Sequence, residues 1–211
     1  VDIESDLRLK GVIFMKKIIT ISREFGSGGH DIGMEVAKRL DIPFYDHEIV
    51  DKAVAESGFT KEFVEEHGEY SSLSSVLLGT SAPFDSYYYA EDPQDKIFKI
   101  QRRIITKFAQ EGPCVFVGRC VDQILKDDNQ LLRVYIYASD MKGRIKRIKK
   151  NKNLSQREAL ERIAYKDRQR RGYYNFYTGC EWGKMENYDI CLNTSVISEE
   201  ECVELLMKLA E

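Results

Sequence analysis

No apolar run in the chain approaches the length that crosses a bilayer, and Lys16 and Lys17 interrupt the one early apolar stretch. That excludes a membrane anchor or secretory leader from the reading. The five cysteines (Cys114, Cys120, Cys180, Cys191, Cys202) lack any C-x-x-C spacing, so they describe neither a zinc framework nor a redox pair. They read as reduced thiols of a cytoplasmic protein. A dominant charge is missing too: the net charge is −3, which argues against a dedicated nucleic-acid binder. An apolar content of 43% over 211 residues is enough for one large domain with a real core.

What is present is organised around residues 18–40, IITISREFGSGGHDIGMEVAKRL. Ile18, Ile19 and Ile21 predict a short buried strand. Gly26, Ser27, Gly28 and Gly29 form a turn able to take positive φ and to lie against a ligand. From His30 onward, Ile32, Val36, Ala37 and Leu40 recur at helical spacing. Strand, glycine turn and helix in that order make a nest of backbone N–H groups at a positive helix end, a place for phosphate. Packing alone is the competing reading of this turn. Neither familiar phosphate fingerprint is complete. In the P-loop pattern G-x-x-x-x-G-K-[ST] the fixed positions fall on Arg23, Gly28, Gly29 and His30, and only Gly28 matches. The dinucleotide pattern G-x-G-x-x-G, started at Gly26, puts its last glycine on Asp31, which weighs against a Rossmann oxidoreductase.

Four further strands are predicted at Ile42–Tyr45, Cys114–Val117, Leu131–Ala138 and Tyr188–Leu192, alternating with helices. This pattern gives an α/β fold, a mainly parallel sheet with helices on both faces. Ligands of such sheets bind beyond the carboxyl ends of the strands, where Asp46 and Arg119 stand. Asp46 is read either as an acceptor for a ribose or base, or as the cap of the next helix. Residues 71–95 read as a long connection or lid holding three consecutive tyrosines. A periodic helix follows through Ile97, Ile100, Ile104, Ile105 and Phe108, with Arg102 and Arg103 turned away from its apolar face. Residues 141–171 carry thirteen lysines and arginines against three acids. Such concentrated charge calls for a polyanion, either a triphosphate under a closing lid or a nucleic acid. Ser198 is a predicted cap for the last helix. Residues 1–14 read as a leader, flexible or strand-forming, or as lying upstream of a natural start at Met15.

The ordered set ITISREFGSGGHDIG, IPFYDHEIV, CVFVGRC, VYIYAS, KDRQRR with YYNFYTG, and NYDICLNTS resembles the cytidylate kinase-like family, a branch of the nucleoside monophosphate kinases within the P-loop fold. The resemblance covers nearly everything from Met15 onward. It implies a single domain, 15–211, with a five-stranded parallel core. It also implies a helical monophosphate-binding insertion at about 48–110 and a lid at about 141–182. It implies ATP with Mg2+ as donor, and CMP or dCMP as acceptor, with neither nucleic acid nor membrane as partner. Residue by residue, Gly26, Ser27, Gly28, Gly29 and His30 resemble the loop on the ATP phosphates, and Asn193, Thr194 and Ser195 the lining of the adenine pocket. Asp46 and Arg119 match residues of the monophosphate site, and Arg102 or Arg103 the arginine that grips the acceptor phosphate. Asp167 resembles the lid carboxylate that reads the pyrimidine nucleotide. Arg168 and Arg170 resemble the lid arginines at the transferring group, with His30 as a third catalytic candidate. Typical cytidylate kinases carry the P-loop lysine where this chain has Gly29, and aspartate where it has Cys120. A nucleotide-binding protein without kinase activity is therefore the alternative function.

Overall fold

The structure, a computed structural model, describes residues 17–69, 92–151 and 154–210. The expected leader and most of the predicted 71–95 connection, including its tyrosines, lie outside them. Five parallel strands form one sheet: β1 (Ile18–Arg23), β2 (Phe44–Tyr45), β3 (Cys114–Val117), β4 (Leu131–Tyr137) and β5 (Ile190–Asn193). Their order is β2-β3-β1-β4-β5. β1 runs between β3, with Ile18 opposite Cys114, and β4, with Ile18 opposite Leu131. The chain leaves β1 toward one edge and later returns to the other, so the carboxyl end of β1 is a switch point with an open crevice.

Every residue of β1 and β3 is buried, as an all-parallel sheet covered on both faces requires. Alternation along the strands then sorts the core. Ile18 and Phe116 meet one layer with Ile49, Val50, Ile97, Ile104 and Phe108, while Ile19, Ile21, Val115 and Val117 meet Ile32, Val36, Leu192, Val203 and Leu206 in the other. The first layer is supplied by α2 (His47–Ser57), α3 (Lys61–His67) and α4 (Pro93–Glu111), the helices of the expected insertion. The second is supplied by α1 (Gly29–Leu40) and α8 (Glu199–Ala210). Ser198 does cap α8: its Oγ accepts from Glu201 N at 3.2 Å while Glu201 Oε2 accepts from Ser198 N at 2.8 Å.

After β3 comes α5 (Val121–Ile124), and the basic segment folds as α6 (Met141–Asn151) and α7 (Gln156–Thr178). α7 is held by an aromatic cluster of Tyr135, Tyr173, Tyr174, Trp182 and Tyr188. The last strand starts two residues later than predicted. Tyr188 closes a 3-10 turn (Met185–Asn187), and the Asp189 carboxylate is engaged by Arg133 at the strand edge, so regular pairing begins at Ile190. Among the described residues, no helix is long and apolar enough to cross a membrane.

Candidate active site

The loop between β1 and α1 is shaped by two glycines in the left-handed region, Gly26 at φ 79° and Gly28 at φ 88°. Its carbonyls are engaged from outside. Arg170 Nη1 donates to Arg23 O at 3.0 Å, Arg144 donates twice to Phe25 O at 2.9 and 2.7 Å, and Thr194 Oγ1 donates to Ser27 O at 2.7 Å. Ser27 is fully buried, its Oγ donating to Glu24 O at 2.9 Å. Of the loop amides, Phe25 N–H is taken by Asp167, Ser27 N–H by Glu24 O and Gly29 N–H by Ser27 Oγ, so Gly26, Gly28 and His30 are the ones left to suit an anion. That cavity, about 310 Å³, is lined by Arg23, Gly26, Gly28, Gly29, His30, Asp31, Arg147 and Arg170, among others.

A second cavity of about 480 Å³ opens beyond β2 and β3, lined by Arg23, Asp46, Glu62, Glu65, Glu69, Arg119 and Lys166, among others. Arg119 belongs to a turn in which Gly118, Arg119 and Cys120 have φ values of 75°, 58° and 57°. Two non-glycine residues held there store backbone strain, of order 1 kcal/mol or more each. The turn drives Arg119 inward: it is 6% exposed, donates from Nη2 to Asp46 Oδ1 at 3.3 Å, and has a buried Nε without a hydrogen-bond partner among the described residues. Asp46 stands at the start of α2 but makes no side-chain cap bond. Its carboxylate spans Arg119 and, at 3.4 Å, His30 Nε2. The cap reading of Asp46 is therefore corrected, and the residue lines the second cavity.

The charges are interlocked. Burial would raise the Asp46 carboxyl, but the hydrogen bond from His30 and the charges of Arg119 and Arg23 outweigh it and hold it well below the usual range. The bond to Asp46 in turn raises the His30 imidazole above its ordinary 6.5, against the opposing effect of burial. Glu69 is buried and pairs with Arg23, with Arg170 Nε 3.8 Å away. Burial pushes its carboxyl up, and Arg23, Arg170 and Arg119 together bring it below the ordinary value.

Gly26, Gly28, Gly29, His30 and Arg170 line the loop cavity, and Asp46 and Arg119 the second one. Other expectations need correction. Arg102 and Arg103 lie on the outer face of α4 beside Lys99 and Lys107, with Arg103 paired to Glu56. The residue of α4 that faces Arg119 is Gln101, fully buried, which in its satisfied orientation donates to Gly68 O and accepts from Arg119 Nη1. A shift of one residue turns a helical side chain by about 100°, enough to exchange inside for outside. Arg168 is exposed on α7. Asp167 faces the loop instead of the second cavity, accepting from Phe25 N at 2.7 Å and pairing with Arg144. Thr194 pins Ser27 of the loop, while Asn193 Oδ1 accepts from Ser139 N at 3.2 Å and Ser195 N at 3.0 Å, tying the end of β5 to the turn after β4.

Sequence reasoning missed Arg144 and Glu69, and gave Arg23 no role. Arg23 carried a signal, since it occupies the first glycine position of the P-loop pattern. Glu69 carried none.

Residues 18–196 match the model of the cytidylate kinase-like family. The chain belongs to that family. Among solved structures it is similar to an uncharacterized protein from Eubacterium ventriosum, at 26% identity and a TM-score of 0.68, over 92% of this chain and 97% of that one. It is also similar to the shikimate kinase of Bacteroides thetaiotaomicron, at 13% identity and a TM-score of 0.53, over 91% and 97%. The second likeness speaks to the fold alone, that of the P-loop kinases. A search of curated proteins finds no match. For this cytidylate kinase-like chain, family and fold together support nucleotide-dependent phosphoryl transfer.

Proposed function

We propose that the protein transfers the γ-phosphoryl group of ATP to a nucleoside monophosphate, with CMP or dCMP as acceptor. The observation that carries this reading is a pair of cavities, a phosphate-type loop and a pocket with a buried arginine, that share Arg23 as a common wall. In-line transfer needs such a pair, because donor and acceptor must meet end to end across one phosphorus. The loop amides hold the triphosphate. Arg119, with an uncommitted Nε, holds the acceptor phosphate, whose oxygen attacks the γ-phosphorus as the bond to the bridging β–γ oxygen breaks and ADP leaves. Arg170 and protonated His30 neutralise charge on the equatorial oxygens, a role of positioning and electrostatics without a protein nucleophile.

Magnesium, which would neutralise the phosphates, fits this donor set only as a guest of the triphosphate. No group of three His, Cys, Asp or Glu side chains converges among the described residues, and Glu24 is committed to Ala138 N and Arg144. Asp31 is the carboxylate placed to take a coordinated water, in keeping with an ion held mostly by phosphate and water. The preference for cytosine rests on Glu62 and Glu65 in the second cavity. A carboxylate accepts from an exocyclic amine and repels the carbonyl that uracil has there.

ADP release measured with ATP and a panel of CMP, dCMP and UMP tests the proposal. CMP or dCMP should be turned over faster than UMP. Binding of ATP without turnover of any monophosphate would leave the nucleotide-binding alternative and reject the kinase.

A further inference from the structure

The geometry points to Arg23 as the cation that stands in for the missing P-loop lysine, on a stem that enters the loop from β1 instead of α1. The inference rests on the kinase reading above. Arg23 and Gly29 are the two P-loop positions where this chain departs in opposite senses: a large cation where the pattern has glycine, and glycine where it has the large cation. The structure explains the exchange. A Cβ built on Gly29 would lie 2.7 Å from Arg23 Cβ, 3.3 Å from Arg23 Cγ and 3.2 Å from Ile136 Cβ. No lysine stem can leave α1 there while Arg23 is present, because its space is already filled by the Arg23 stem.

From that point the Arg23 side chain runs, buried, across Gly118, where any Cβ would collide with its Nη1 and with Glu69. Arg23 therefore runs from the loop cavity, where its stem packs on Gly29, to the second cavity, where its guanidinium pairs with Glu69, and the residue lines both. A lysine of the usual P-loop reaches the β- and γ-phosphates from the same loop. A planar fork at the boundary can bridge the γ-phosphoryl and the incoming acceptor phosphate, two anionic groups that must be brought together. Glu69 balances it in the protein without nucleotide. His30 is a poorer candidate for the lysine's place: its side chain is 40% exposed and turned between Asp31 and Asp46.

The test exchanges the two residues. Isothermal titration with MgATP and MgADP and CMP turnover are measured for the full chain and for five variants: Arg23→Lys, Arg23→Gln together with Glu69→Gln, Gly29→Lys, Arg23→Gly together with Gly29→Lys, and Arg23→Gly alone. The second variant avoids stranding a buried carboxylate, and thermal melts check that each is folded. Loss of the Arg23 charge should lower turnover about a hundredfold to a thousandfold and abolish any preference for ATP over ADP. Arg23→Lys should retain part of both. Gly29→Lys alone should lower the melting temperature without raising the rate, and the exchanged pair should recover at least tenfold over Arg23→Gly. Wild-type turnover and ATP preference in the folded Arg23→Gln, Glu69→Gln protein would overturn the inference while leaving the kinase reading intact. So would a rate gain in Gly29→Lys alone. Wild-type protein that binds ATP without turning over any monophosphate would reject the kinase reading, and the ATP-to-ADP affinity ratio would still decide the role of Arg23. Failure to bind ATP at all would remove both.

Discussion

His30 carries a consequence for pH. Its hydrogen bond to Asp46 raises the imidazole pKa, so the charged form persists above 6.5 and disappears as pH climbs through the raised value. The stabilising contribution of the pair is complete below about 6.5 and lost over that climb. ATP affinity should fall over the same window, since the imidazolium lines the phosphate cavity. In His30→Gln, calorimetry across the pH range should show a flat response there. Arg119→Ala should raise the apparent KM for the monophosphate about tenfold to a hundredfold, the scale of a hydrogen bond to a charged group, with ATP affinity unchanged. Steady-state kinetics varying each substrate separately will distinguish the two effects. At this scale the sequence was legible where chain neighbours decide the outcome. Gly26 to His30 form a local turn, and Arg119 follows a strand end. Helical phase was legible as well, since Arg102 and Arg103 do turn away from the apolar face of α4. The inward residue that meets Arg119, Gln101, was not, nor were contacts that span distant residues, as for Glu69 with Arg23.

α7 acts on the loop through its buried side. Asp167 takes Phe25 N–H, Arg170 takes Arg23 O, and Tyr174 donates to the buried Asp122 at 2.6 Å, tying the helix to α5. Asp167→Asn removes the charge that Arg144 answers, and it should cost about 1.5–3 kcal/mol of stability. Differential scanning calorimetry should show the drop, and titration should show weaker ATP binding, because the loop loses an anchor. Ser198→Ala offers a contrast. Loss of that cap should cost about 1 kcal/mol and leave nucleotide binding as it was. Elements were the most legible scale: four of the five strands announced themselves by apolar β-branched runs between turn residues. β2 shrank to Phe44–Tyr45 because it sits at the sheet edge with one neighbour. The segment expected to be a lid has its ends written in sequence, but its clamp on the loop depends on tertiary placement.

Across the molecule, the basic segment divides its charge by position. Arg144, Arg147 and Arg170 turn to the loop and to Glu199, while Lys142, Lys146, Lys149 and Lys150 are exposed. Those three arginines serve the loop, while Arg157, Arg168 and Arg171 stay exposed with the lysines. Glu69 is the counterweight to this concentration. Glu69→Gln would leave buried guanidinium groups without their carboxylate, so the nucleotide-free protein should melt at a lower temperature, a loss of about 3–5 kcal/mol. The same variant should show a larger rise in melting temperature on adding MgATP than wild type, because the triphosphate then supplies the missing anion.

Arg23 belongs to the walls of both chambers, which bears on inhibitor design. A molecule joining adenosine to cytidine through a polyphosphate bridge would run past that shared wall and occupy both chambers at once. Its affinity should exceed what either half-molecule achieves alone, and the advantage should vanish when the bridge is too short to reach across.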